Sequence, residues 1–244
     1  IDLVLLGILA FAIKAICWFC VGTYAVNAAV LVVLLPVRRS LAAARKIGGD
    51  AVDAVVHVKG LDLPMHDPRG FHGMGLAYMM SNRGACHLQH AVLATEQGMA
   101  SWPQLFPMKD DYQGTTSEGK AELVFHSENY GILGNSLSIC HYLTDCLKPE
   151  TIRDAFNAIT GFDYSFNELM ACGARDWTLK RGINNLLGVT AKDDILPKRI
   201  MTPLAEGAVR DGVIQDPAAL VGALKSFKIF GLLKHVNTAL TICA

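Results

Sequence analysis

HVKGLDLPMHDPRGFHGMGLAYMMSNRGACHLQH, residues 57–90, is the stretch on which the reading of this chain turns. HVKG reads as extended backbone. LDLPMHDPRGFHGMG is loop-rich, with two prolines and three glycines, and carries His66, Asp67, Arg69 and His72. From Leu76 to Glu96 the apolar residues recur at helical spacing, with Leu76, Met79 and Met80 on one face. SNRGACHLQH, residues 81–90, then crowds Arg83, Cys86, His87 and His90 around the hinge Gly84. Such side chains suit metal ligation, an anion or cofactor cradle, or a satisfied polar patch in a core. The residues alone leave all three open.

Outward from this stretch the pattern is helical. VRRSLAAARKIGGDAVDAVV reads as a helix ended by Gly48 and Gly49. KAELVFHSENYGILGNSLSICHYLTD reads as two helices about a turn at Gly131–Asn135. Pro149 opens a helix that Gly161 closes, and Asp163 and Ser165 offer N-caps to FNELMACG. ARDWTLKRGINNLLGV follows as a separate helix stopped by Gly188, and DPAALVGALKSFKIFGLLKHV as an apolar one. No internal repeat and no clear alternating strand pattern appears, so the expected class is mainly α. Arg69 is expected to brace its loop through Asp67, Asp193 and Asp194 to act as caps or loop braces, and His66 and His72 to be exposed loop residues.

Residues 1–39 differ from residues 40–244. Asp2 and Lys14 are the only charges in the first 35 residues, and Ala15 to Leu35 carries none. That run is long enough to cross a bilayer, with PVRRSLAAARK as a basic flank. Buried helices that meet a covering domain are the favoured reading. The chain has 244 residues, 22 Lys+Arg and 22 Asp+Glu, so it offers no charge footprint for nucleic acid. Mean hydropathy is +0.32, apolar enough to imply extensive burial within the chain or against a partner. Seven cysteines (17, 20, 86, 140, 146, 172 and 243) form no disulfide-framework spacing and fit a reducing, cytoplasmic setting. Cys17 and Cys20 make a CxxC without the further ligands of a zinc site.

The motifs HVKG, DPRG, RGACHL and LPKR, in that order, resemble the tungsten-dependent aldehyde:ferredoxin oxidoreductase family in its C-terminal helical domains. The resemblance runs over roughly residues 40–215 and includes NSLSIC, AITGFDYSFNELMACGAR and DDILPKRIMTPLAEG. It implies oxidation of aldehydes to carboxylic acids. The implied cofactors are tungsten held by two molybdopterin-type pterins (tungstopterin) and a 4Fe-4S cluster that passes electrons to ferredoxin. His87 matches the family's active-site histidine, and Arg83 its arginine near the pterin. Cys86, Gln89, Asn135 and Ile139 fall at positions beside the cofactor, and Cys140 matches the last cluster cysteine.

Several positions depart from the family pattern. Gln89 stands for a lysine, Asn135 for a pterin-binding aspartate, and Ser138 for a glycine. Tyr24 sits where CWFC would need a third cysteine. The family's N-terminal β domain has no counterpart here, so the rest of the pterin cradle and cluster would come from a second chain or a further segment. The alternative expectation is a non-catalytic helical subunit that binds a partner chain.

Overall fold

The computed structural model describes residues 39–99, 114–206 and 212–226, and the chain divides into two units, 1–52 and 53–244. The apolar run 15–35, the CWFC pair and Cys243 lie outside the described residues. In the first unit, α1 (Arg39–Ile47) ends where Gly48 adopts φ 77° and donates its N–H to the Ala44 carbonyl at 2.9 Å. This is the glycine stop expected there. A one-turn helix, α2 (Ala51–Ala54), follows.

The second unit begins with an antiparallel hairpin of β1 (His57–Val58) and β2 (Leu61–Asp62), with His57 opposite Asp62 and Val58 opposite Leu61. Both turn residues have positive φ, 51° at Lys59 and 80° at Gly60, the hand that suits a two-residue hairpin. A lysine backbone resists that region. Here its buried ammonium is anchored: it donates to the carbonyls of Met79 and of Ser81 (2.9 Å) and lies 2.8 Å from Asp194 Oδ1.

Helix α3 (His72–Met80) is buried along its whole length, and Met74, Leu76, Tyr78 and Met79 lie at the centre of the apolar core. A buried helix start needs partners for its free N–H groups. The Glu96 carboxylate supplies them, accepting from Gly73 N at 2.9 Å and Met74 N at 3.0 Å. Glu96 is itself ion-paired with Lys120, and both side chains are fully enclosed. A Cβ on Gly73 would sit 2.9 Å from that carboxylate, so glycine is what lets it approach.

Around α3 lie α4 (Val92–Glu96) and α5 (Lys120–Ser136). Helix α5 packs in turn on α6 (His141–Cys146) and α8 (Phe166–Leu186), and α7 (Pro149–Thr160) lies on α8. The segment 217–226 is also helical, and its Leu220, Val221 and Leu224 enter the same core as Leu196 and Ile200. The unit is mainly α, as expected.

Four local expectations are corrected. The helical pattern of 76–96 is broken: α3 stops at Met80, and residues 81–91 form a non-helical turn before α4. Helix α5 runs unbroken through Gly131 and Gly134, so the expected turn lies further on, at 137–140. Helix α8 is one 21-residue element rather than two. One glycine in each long helix answers to a close backbone approach: a Cβ at Gly131 would meet the Gln89 carbonyl at 2.5 Å, and one at Gly173 the Asn129 carbonyl at 2.1 Å. Finally, His72 is no exposed loop residue. It is buried at the start of α3, with Nδ1 3.0 Å from Ser117 Oγ and Nε2 2.6 Å from the Gly212 carbonyl.

The local rules held elsewhere. Pro149 begins α7, Gly161 ends it at φ 75°, and Ser165 with Glu168 forms a reciprocal capping box on α8. Arg69 grips Asp67 through Nε and Nη2 and donates to the Thr202 carbonyl at 2.9 Å, the loop brace anticipated for DPRG. Asp193 caps the 3-10 turn Ala191–Asp193.

Candidate functional site

The polar turn 81–90 is held from three sides. On the hairpin side, Lys59 clamps the carbonyls of Met79 and Ser81, and Gly84 (φ 99°) lies against Val58 O, where a Cβ would approach to 2.5 Å. On the α8 side, Asn82 Nδ2 donates to the Trp177 carbonyl at 3.4 Å, and Asn184 Nδ2 donates to the Asn82 carbonyl at 2.5 Å. On the α5 side, Gly131 admits the Gln89–His90 backbone at a separation no side chain would allow.

Behind the turn, Asp194 collects cations. Arg181 meets it in a two-pronged pair at 2.8 and 2.9 Å, Lys59 at 2.8 Å, and Lys225 lies 3.7 Å away. Burial works against its ionisation, but Arg181 and Lys59 outweigh it and hold the Asp194 carboxyl below the usual carboxylate range. Burial dominates at Lys59 and lowers its ammonium pKa despite Asp194. Two-pronged arginine–carboxylate pairing fixes direction as well as distance. The LPKR region is thereby bound to the back of the turn.

Within the turn, the resemblance-matched residues divide into an outer and an inner set. Arg83 is exposed and His87 half-buried. Cys86 points inward, with its Sγ accepting from Leu88 N at 3.4 Å. Gln89 is buried, and its Oε1 has no hydrogen-bond partner. His90 is enclosed, and its Nε2–H donates to the Cys86 carbonyl at 2.9 Å. Burial, with the neighbouring His141 and His87, pulls its pKa down to about 4, so the ring is neutral near pH 7.

The second segment, at the C-terminal end of α5, reaches the first. Asn135 Nδ2 donates to the Gly131 carbonyl at 3.1 Å and toward the Leu88 carbonyl at 3.5 Å. Helix α5 then closes with Ile139 N–H bonding Gly134 O at 2.9 Å and Ser138 N–H bonding Asn135 O at 3.2 Å. This is the two-bond closure that places a residue in the left-handed region. That residue is Ser138, at φ 58°. The geometry explains why a glycine is expected at this position. Ile139 is half-buried beside the core, and Cys140 is an exposed free thiol just before α6.

His87 is the titratable group at the open side. Its ring centroid is 5.1 Å from that of His66, with the planes tilted 38°. Burial lowers its pKa most, followed by the positive charge of His66, His141 and Arg83. His87 is therefore a neutral imidazole near pH 7, with a lone pair to offer. His66 was expected to be an exposed loop residue. It is half-buried against His87, and no local sequence signal marks that contact, because it is made by folding the DPRG loop over the turn. Lys59 was likewise missed as a support of the turn, whereas Asp194 fills the bracing role expected of it.

These residues can be tested against the cofactors the resemblance implies. Arg83 offers an exposed donor fork for an anion, and the Gln89 side chain keeps a buried oxygen available to a donor. Both fit the polar rim of a pterin. Cys140 offers one accessible thiol, and among the described residues no group of three or more His, Cys, Asp or Glu is placed to hold a metal ion. A 4Fe-4S cluster would draw its other thiolates from elsewhere. Also among the described residues, no helix is long and apolar enough to cross a membrane.

A family profile described as "Aldehyde ferredoxin oxidoreductase, domains 2 & 3" matches residues 40–227. The chain is 32% identical over 160 residues to a tungsten-containing aldehyde ferredoxin oxidoreductase of Thermococcus kodakarensis, covering 65% of this chain and 25% of that protein. The protein of the same name from Pyrococcus furiosus is 33% identical over 152 residues (62% and 24%), and that from Pyrococcus abyssi 31% over 160 residues (65% and 25%). The chain thus matches about a quarter of the length of these relatives. It belongs to the aldehyde ferredoxin oxidoreductase family and carries the region described as that family's domains 2 and 3.

Proposed function

We propose that this chain forms the helical side of an aldehyde-oxidising site, with His87 as its acid–base residue. The supporting observation is the convergence of the 81–90 turn and the 135–140 segment across the close contact at Gly131. Oxidation of an aldehyde consumes one water and releases two electrons and two protons. The chemistry that tungstopterin would supply is a two-electron acceptor, with a 4Fe-4S cluster as the one-electron link to ferredoxin. The chain's own part is to bind, orient and exchange protons.

Arg83 and Gln89 would hold the pterin rim, Asn135 would add a neutral donor where the family pattern has a charge, and Cys140 would contribute one thiolate to the cluster. Cys86 and Ile139 form the apolar backing of the same segments. The neutral His87 ring takes a proton from water as it adds to the carbonyl carbon, then releases it to solvent. The remaining pterin and cluster ligands belong to another segment or chain.

The test is aldehyde-dependent reduction of ferredoxin by the full chain, assembled with a family pterin-binding segment and tungstate. His87→Asn is expected to reduce kcat roughly 10²–10⁴-fold while tungsten content stays unchanged. Equal turnover by the variant would remove His87 from the chemistry. The acid limb of kcat/KM is expected below the ordinary histidine range, in line with the lowered His87 pKa. A second reading, a non-catalytic helical subunit, is favoured by the uncharged Gln89 and Asn135 and by Leu179, Ile183 and Leu186 standing exposed on α8. It predicts a complex that assembles without binding tungsten.

A further inference from the structure

The DPRG loop brings a second imidazole to His87. The loop is rigid for reasons independent of either histidine. Asp67 accepts from Arg69 N at 2.9 Å and from the Arg69 guanidinium, which reaches on to the Thr202 carbonyl. The His66 carbonyl accepts from Tyr78 Oη at 3.2 Å, so its backbone is fastened to the central helix α3. The His66 side chain can therefore leave the His87 ring only by changing rotamer. Its Nδ1 is buried and has no hydrogen-bond partner, so the ring is placed by packing against His87 rather than by a bond of its own.

We propose that His66 is a positioning residue for His87: its ring, carried on the braced DPRG loop, fixes the orientation of the His87 imidazole and sets that ring's protonation at the open side of the turn. The proposal rests on the reading of His87 as the acid–base residue. The charged and titratable groups that act electrostatically on His87 are His66 from the loop, Arg83 from its own turn and His141 from α6, and His87 in turn interacts with His90. All four are basic, and no carboxylate is among the groups that shift it. A proton on His87 thus meets like charge, and the His66 ring lies against it. A base that must be neutral at the moment water adds is served by such a neighbour. Because the loop is fastened to α3 and the turn is fastened to α5, α8 and the hairpin, the pairing is set by the fold of this chain alone.

The experiment is a pH titration of the His87 ring signals by NMR in the full chain, comparing wild type with His66→Phe and His66→Ala. His66→Phe keeps a ring and removes the charge. The His87 midpoint is expected to rise by on the order of half a pH unit, while contacts between the two rings persist. His66→Ala is expected to raise the midpoint similarly and to erase the fixed ring orientation, seen as averaged His87 signals. Unfolding would also raise the midpoint, so His90 is the internal control: in a folded variant its midpoint remains near the wild-type value of about 4.

A folded His66→Phe protein with an unmoved His87 midpoint overturns the proposal. So does a freely averaging His87 ring in wild type, which needs no variant to be observed. In the tungsten-loaded complex, His66→Phe is expected to move the acid limb of kcat/KM in the same direction as the His87 midpoint. If the loaded complex oxidises no aldehyde, the functional reading fails while the NMR result still decides the ring pairing.

Discussion

At the residue scale, two positions show how placement changes the behaviour of an ordinary side chain. His90 is enclosed, and burial lowers its pKa from the ordinary histidine value of 6.5 to about 4. The folded state therefore binds fewer protons than the unfolded chain between those values, and stability falls as pH drops through that window. The full effect is about 3 kcal/mol, present above pH 6.5 and lost by pH 4. Urea unfolding measured from pH 7 to pH 4 is expected to show this loss, and His90→Gln, which keeps a donor for the Cys86 carbonyl, is expected to flatten it. Ser138 is the second case. It occupies the left-handed position that ends α5, while the same two-bond closure of α8 uses Gly188 at φ 86°. Ser138→Gly is expected to raise stability by about 1 kcal/mol, measured by the urea midpoint at unchanged slope.

At the scale of elements, the helices are legible where local chemistry decides and illegible where a neighbour does. Pro149, Gly161 and the Ser165–Glu168 box act through their own backbone, and each could be read from the sequence. Gly131 and Gly173 looked like helix breaks for the same reason that Gly161 is one. Their actual cause is the backbone of another element: residues 89–90 against Gly131 and Asn129 against Gly173. Helix α8 contains a built-in comparison. Gly173→Ala places a methyl against the Asn129 carbonyl and is expected to cost about 2 kcal/mol despite alanine's better helix propensity. Gly182, on the same helix, has nothing within 4 Å of a Cβ, so Gly182→Ala is expected to gain up to about 1 kcal/mol. Equal effects at both sites, by chemical denaturation, would remove the close-contact explanation.

At the scale of the whole molecule, the candidate site was partly legible. The motif order pointed to residues 81–90 and 135–140 and to the family the comparisons support. The apolar spacing from Leu76 onward hid the turn, because residues 81–91 are buried by α5, α8 and the hairpin rather than by a helical face of their own. The supports Lys59 and Asp194 are separated from each other by more than half the chain, and charge alone gave no reason to pair them. Their contact makes the HVKG and LPKR motifs one structure behind the turn.

In the function proposed above, this chain supplies one face of a tungsten–pterin site and one thiolate of its cluster. The most direct test is tungsten and iron content of the full chain co-produced with a family pterin-binding segment, beside the same complex carrying Cys140→Ser. Tungsten and about four irons are expected in the wild-type complex, and a clear loss of iron with tungsten retained in the variant. A wild-type complex that assembles without tungsten, or iron unaffected by Cys140→Ser, would contradict it.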